Sequence, residues 1–148
     1  MNCISCKKPN EKNLIVITKF WIVTLSRNQA YLGRGYITSK RHCNNLSELK
    51  PDEWSELHDL IKKLEYTLEK AFNATMFNWT CLMNVAYQES PPNPHVHWHF
   101  RPRYDHTVEI AGKQFNDPEF GHHYSRKREQ SITPTVREII IHKIKQHL

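Results

Sequence analysis

No apolar run in this 148-residue chain approaches the roughly 18 residues of a membrane span, which argues against a membrane protein. The opening Met1-Asn2-Cys3-Ile4-Ser5-Cys6-Lys7-Lys8 lacks the apolar core of a secretory signal, so a reducing cytoplasm is the expected location. Internal repeats, linkers and low-complexity tracts are also missing, and the length suits one domain, residues 1–148, with a real core. Tight basic clusters are confined to Lys40-Arg41 and Arg126-Lys127-Arg128. Neither is interleaved with aromatics in the manner of a single-strand stacking platform, so nucleic acid is not the favoured partner. What is present is a soluble, globular composition, 24% charged and 39% hydrophobic, with a formal charge of +6 that favours anionic ligands such as nucleotides or polyphosphates.

Residues 13–18 and 20–25 are rich in Ile, Val and Phe and read as strand, broken near Lys19. Residues 26–29 read as a turn and residues 30–39 as the return strand, with Gly33 and Gly35 allowing a bulge or close backbone approach. Residues 51–73 carry the strongest helical pattern. Pro51 suits the first turn, Asp52 and Glu53 complement the N-terminal dipole, and Trp54, Leu57, Ile61, Leu64, Leu68 and Phe72 make one apolar stripe. His58, Lys62 and Glu69 fall off that stripe, and the helix is assigned to packing on a sheet, without a catalytic role. Residues 75–85 return to strand composition, 88–94 form a proline-rich loop and 115–123 read as irregular. Ser131 or Thr133 can cap a last helix with Pro134 in its first turn and Val136, Ile140 and Ile144 on its apolar side.

The stretch that carries chemistry is Pro94-His95-Val96-His97-Trp98-His99-Phe100-Arg101-Pro102-Arg103-Tyr104. In a strand, alternate residues share a face, so His95, His97 and His99 would project together while Val96, Trp98 and Phe100 enter a core. A histidine row can be a metal site, a catalytic row or plain surface. At the other end of the chain, Cys3-Ile4-Ser5-Cys6 has the spacing of a zinc grip or a redox pair, and two idle thiols is the bland alternative. The turn residues that follow it, Lys7-Lys8-Pro9-Asn10, disfavour the redox version.

His-Val-His-Trp-His-Phe resembles the signature of the histidine triad (HIT) family, which binds nucleotides and breaks a bond at the phosphorus nearest the nucleoside. Leu32-Gly33-Arg34-Gly35, Ser39-Lys40-Arg41-His42 and Leu46-Ser47-Glu48-Leu49 also fit that family's pattern, and the resemblance covers about residues 3–105. Residues 106–148 stand outside it as a C-terminal extension with a terminal helix. The resemblance implies an α+β fold in which a mainly antiparallel sheet of about five strands packs against the long helix. It also implies a structural zinc ion held by Cys3, Cys6, His42 and His95, as in the superfamily members that carry a Cys-x-x-Cys. A rival set would use Cys43 or Cys81, but both read as small buried hydrophobes.

By the same resemblance His97 is the nucleophile, forming a nucleotidyl-histidine that water or another acceptor resolves. A backbone carbonyl of the same strand would orient it. His99 would steady the phosphoryl oxygens or leaving group, and Asn84, in the strand before the triad, would donate to the phosphate with Arg101 also binding substrate. Two departures bear on specificity. Arg101 occupies the last hydrophobic slot of the signature, and Pro92 stands where many hydrolases of the family carry a Ser or Thr donor. Asn93-Pro94 before His95 is similar to the uridylyltransferase side of the superfamily. The implied activity is nucleotide hydrolysis or nucleotidyl transfer at the α-phosphate, with dinucleoside polyphosphates or adenylated compounds as substrates. Transfer to a sugar phosphate, a non-catalytic zinc-stabilised nucleotide-binding module and removal of AMP from a nucleic-acid 5′ end are the alternatives, and a homodimer is an expectation by resemblance.

Overall fold

A computed structural model describes residues 3–148. Five strands, β1 (Leu14–Ile17), β2 (Trp21–Leu25), β3 (Gly35–Ser39), β4 (Met76–Thr80) and β5 (His97–Arg103), form an antiparallel sheet in the order β1-β2-β3-β5-β4. Two further strands, β6 (Val108–Ile110) and β7 (Lys113–Phe115), make a small hairpin that the sequence patterning did not reveal. The long helix α1 (Pro51–Phe72) and the C-terminal helix α2 (Pro134–His147) complete the α+β fold. None of the helices among the described residues is long and apolar enough to cross a membrane.

Alternation divides the sheet into two faces. Trp21, Val23, Leu25, Ile37, Val96 and Phe100 are buried in one core with Leu57, Leu60, Leu64, Leu68 and Phe72 of α1 and Ile140 and Ile144 of α2. The opposite face carries Tyr36, Thr38, His97, His99 and Arg101. Register fixes their neighbours, with Thr38 opposite His97, Tyr36 opposite His99, Thr80 opposite His99 and Asn78 opposite Arg101. Gly35 sits where β2, β3 and β5 crowd together, and a Cβ there would lie 2.6 Å from the Phe100 ring. This is the close approach expected of it.

Several boundaries differ from the patterning, each for a visible reason. The return strand is shorter than residues 30–39, because residues 26–34 are a loop organised by the fully buried Gln29. Its amide donates to the carbonyls of Ser26 (2.8 Å) and Arg34 (3.1 Å) and accepts from the Gly33 N–H (2.8 Å), satisfying backbone groups that a strand would otherwise pair. On α1 the buried stripe runs through Glu53, Leu57, Leu60, Leu64, Thr67, Leu68 and Phe72. Trp54 lies off it, 40% exposed, with its ring edge-on to Trp98. Thr133 is the cap of α2, its hydroxyl accepting from the Val136 N–H at 3.3 Å.

Two departures touch the site directly. Strand β5 starts at His97, so His95 lies just outside it. The strand expected over 75–85 stops at Thr80, and Asn84 sits instead in a 3-10 turn, Asn84–Gln88. The β4–β5 register, extended beyond Thr80–His99, would place Asn84 opposite His95. His95 has no free carbonyl to offer such a ladder, since it accepts from the His97 Nδ1–H at 2.8 Å. The chain therefore leaves the sheet.

Candidate active site

His42 is placed by the turn after β3. The Ser39 hydroxyl donates to the Arg41 carbonyl (2.7 Å), and Arg41 forms a fork on Glu53 at the first turn of α1, 2.9 and 2.8 Å. Glu53 also accepts from the Lys50 N–H, and the hydrogen bonds from Arg41 hold its carboxyl below the usual range. One half of the Lys40-Arg41 cluster is thus spent on architecture.

Cys3, Cys6, His42 and His95 bring their donor atoms within 4.8 Å of one another. His42 Nδ1 is 3.1 Å from His95 Nδ1, Cys3 Sγ and Cys6 Sγ lie 3.4 and 3.5 Å from His95 Nδ1, and Cys6 Sγ is 3.4 Å from His42 Nδ1. A tetrahedral zinc ion with ordinary Zn–N and Zn–S bonds spaces its ligand atoms by about 3.3–3.8 Å, so the set fits such an ion. The tautomer also fits. His95 Nε2 lies 2.7 Å from the Ser39 carbonyl, which takes its proton and leaves the Nδ1 lone pair facing the sulfurs. Burial lowers the His95 pKa and so favours the neutral form that a metal ligand requires. Cys43 and Cys81 lie outside this group among the described residues. Cys43 is fully buried in the core, whereas Cys81 is only half-buried, which corrects the reading of both as buried.

His97 and His99 stand beside the cluster on the open face of β5. His97 Nδ1 is 2.8 Å from the His95 carbonyl, so its proton resides there and Nε2 carries the lone pair. The His97 and His99 Nε2 atoms are 3.1 Å apart. Both rings line a cleft of about 520 Å³ whose walls include Asn84, Asn93, Arg101, Tyr124 and Arg126. Cys3 and His95 also line it, so the metal-type cluster forms one end of the same cavity. Another depression of similar size, about 480 Å³, lies across the sheet over β2 and β3 and shares Ile4, Ser5 and Lys7 with this cleft. Pro92 is exposed and borders a separate shallow depression beside His42.

Residues 106–148 contribute to the site in a way the sequence did not signal. Arg103, fully buried, holds Asp117 (2.6 and 3.1 Å), Asn78 and the carbonyls of Glu119 and His122. That hub fastens the segment after β7 across the end of the open face, and Tyr124 covers Arg101 with its ring 4.0 Å from the guanidinium. No periodicity marks this segment as a cleft wall, although the Asp117 side chain could have been matched to an otherwise unexplained arginine in a strand.

Burial pushes the His99 pKa down to about 4, with help from His97, Arg101 and Arg34. An ordinary histidine titrates near 6.5, so between about pH 6.5 and 4 the unfolded chain takes a proton that the native chain resists. Stability contributed by this residue is therefore present above pH 6.5 and lost as the pH falls toward 4. His99→Gln keeps a polar side chain without the titration. Urea unfolding at pH 7 and pH 5 should show a smaller acid loss for the variant than for the parent, and equal losses would refute the assignment.

A five-stranded antiparallel sheet with two helices packed on one face and an alternating histidine row on the other defines an α+β class. Residues 9–106 match the HIT domain family model, and the chain belongs to that family. Membership supports nucleotide-related hydrolase or transferase chemistry in general. No curated protein matched the sequence. Among solved structures, the chain is similar to a histidine triad protein from Sinorhizobium meliloti (TM-score 0.68, 15% identity, covering 92% of this chain and 89% of that one). It is also similar to Plasmodium falciparum diadenosine triphosphate hydrolase in complex with Cyclomarin A (0.64, 15%, 93% and 77%). A third similar structure is a Zn-bound histidine triad family protein from Mycobacterium smegmatis (0.55, 14%, 90% and 84%). At these identities the structural likeness establishes the fold alone.

Proposed function

We propose that this protein is a nucleotide hydrolase or nucleotidyltransferase acting at the α-phosphorus, with His97 as nucleophile and a structural zinc ion on Cys3, Cys6, His42 and His95. The observation that carries the reading is the His97 ring. Its Nδ1–H is committed to the His95 carbonyl at 2.8 Å, which leaves the Nε2 lone pair in a cleft able to hold a nucleotide, with His99 Nε2 3.1 Å away.

In the first step the Nε2 lone pair forms a bond to phosphorus while the bond from phosphorus to the leaving oxygen breaks. The leaving group departs with that electron pair. The ring then carries a positive charge, and the His95 carbonyl stabilises it by accepting from Nδ1–H. In the second step the oxygen of water or another acceptor attacks the same phosphorus, loses its proton to solvent and releases the nitrogen. This exchanges one hard displacement for two easier ones. His99 hydrogen-bonds the phosphoryl group or leaving oxygen, and Asn84, on the flanking 3-10 turn, can donate to an equatorial oxygen. Zinc, where bound, would supply a rigid tie between the N-terminal segment, the turn at His42 and His95, whose carbonyl orients the nucleophile, and the thiolate and imidazole set suits that role.

Dinucleoside polyphosphates and adenylated compounds are the substrates to try first. A nucleotide panel with products identified by mass spectrometry should yield nucleoside monophosphate from at least one of them in water. Mononucleotide joined to an added sugar phosphate instead would identify the transferase. If no compound is cleaved, and none forms an adduct, the catalytic reading fails.

A further inference from the structure

Arg101 is an expensive residue where it stands. It is 6% exposed, its Nε has no hydrogen-bond partner, and its closest polar contact is Thr80 Oγ1 at 3.5 Å. Tyr124 covers its face but supplies no negative charge. The β3–β5 ladder ends with Gly35 paired to Phe100, so Arg34, the loop residue just before β3, adds a second positive charge at the end of the sheet where Arg101 stands. A like charge nearby disfavours the charged form of each. Neither arginine has an ion-pair partner among the described residues, because the nearby carboxylates are engaged elsewhere: Asp117 with Arg103, and Glu119 with Arg128 and Tyr31. Glu89, the carboxylate on the cleft wall, is exposed and makes no ion pair with either. Burial and the Arg34 charge both depress the Arg101 pKa, the signature of a cation lacking compensation. A buried unpaired guanidinium costs stability unless something repays it.

We infer that Arg101 anchors a second anion subsite in the cleft, which takes the phosphate beyond the one attacked by His97. The inference rests on the nucleotidyl-transfer reading above and narrows it, to nucleotides whose leaving group is itself a phosphate chain. Spacing supports the assignment. Arg101 follows His99 by one strand repeat, about 7 Å, His99 touches His97, and all three line one cleft, so a phosphate chain running along β5 from the reacting phosphorus would approach Arg101. A planar guanidinium stacked on an aromatic ring keeps its N–H edge free for such an oxyanion.

Two measurements on Arg101→Leu test this. In the first, both proteins are melted alone and with tripolyphosphate. The variant alone should melt at or above the parent, because a buried uncompensated charge is gone, and its tripolyphosphate-induced rise should be lost. A variant that melts lower, with the rise retained, overturns the subsite and makes Arg101 structural. In the second, kcat/KM is measured for diadenosine triphosphate and for adenosine 5′-(4-nitrophenyl phosphate), which share the adenylyl group but differ in leaving-group charge. The ratio between the two substrates should fall by about 30-fold in the variant, the effect of losing one or two charge-assisted hydrogen bonds. Parallel loss on both substrates, or no loss, overturns the subsite while leaving the nucleotidyl-transfer reading intact. Absence of turnover in the parent with Arg101-dependent tripolyphosphate binding does the reverse: the subsite stands and the catalytic reading falls. Absence of both turnover and binding defeats the subsite.

Discussion

Mixed with an adenylated substrate at low temperature and quenched in base, the protein should yield a phosphoramidate adduct that survives alkali, decays in acid and maps to His97. His97→Ala should lose both adduct and turnover. Its neighbour His99 cannot replace it, being displaced along the strand and lacking the carbonyl partner on Nδ1 that orients His97. His97→Asn should also lose the chemistry yet keep nucleotide binding, since an amide of similar reach still fills the position. His99→Ala should retain some adduct and turn over about a hundredfold more slowly, the effect of losing one hydrogen bond of about 3 kcal/mol to developing charge. Wild-type turnover by His97→Ala, or a nucleotide mapped to His99 or a lysine, would overturn the mechanism.

Fresh protein should carry one zinc equivalent per chain, by metal analysis. Cys3→Ser and His42→Ala should each lower zinc affinity by more than the roughly 10–100-fold that changes outside the ligand shell cause. Every tenfold loss removes about 1.4 kcal/mol of metal-linked stability at a given free zinc concentration, so both variants should melt well below the parent. Part of the chemistry should survive, because neither side chain touches His97 Nε2. Zinc-free parent protein, or full occupancy in both variants, would refute the ligand set.

The parts of this molecule that a reader of the sequence can see are those written locally. The alternation from His95 to Phe100 announces a strand with two different faces, and the spacing of Leu57, Leu64, Leu68 and Phe72 announces α1. The four metal-type ligands were gathered only through resemblance to a family, since nothing local to Cys3 or His42 indicates that they meet His95. Features built from distant, aperiodic residues stayed hidden. Gln29 looks like an ordinary turn residue until its amide is seen closing the loop before β3. Resemblance to the family sets Asn84 near the site, but the strand that composition assigns to it is wrong, because Cys81-Leu82-Met83 has strand character and no strand to pair with. The Arg103–Asp117 hub and the Tyr124 cover join segments with no shared pattern, so the wall they build could not be read beforehand.

That hub separates evolutionary boundaries from mechanical ones. The family match ends at residue 106, yet Val136, Ile140 and Ile144 belong to the same core cluster as the sheet, and Arg103 is satisfied by atoms from residues 117–122. A fragment trimmed to the recognised family segment would strip the apolar cover from α1 and strand a guanidinium whose partners had been cut away. For anyone grafting, shortening or recombining this chain, the unit to move intact is the one that includes its tail.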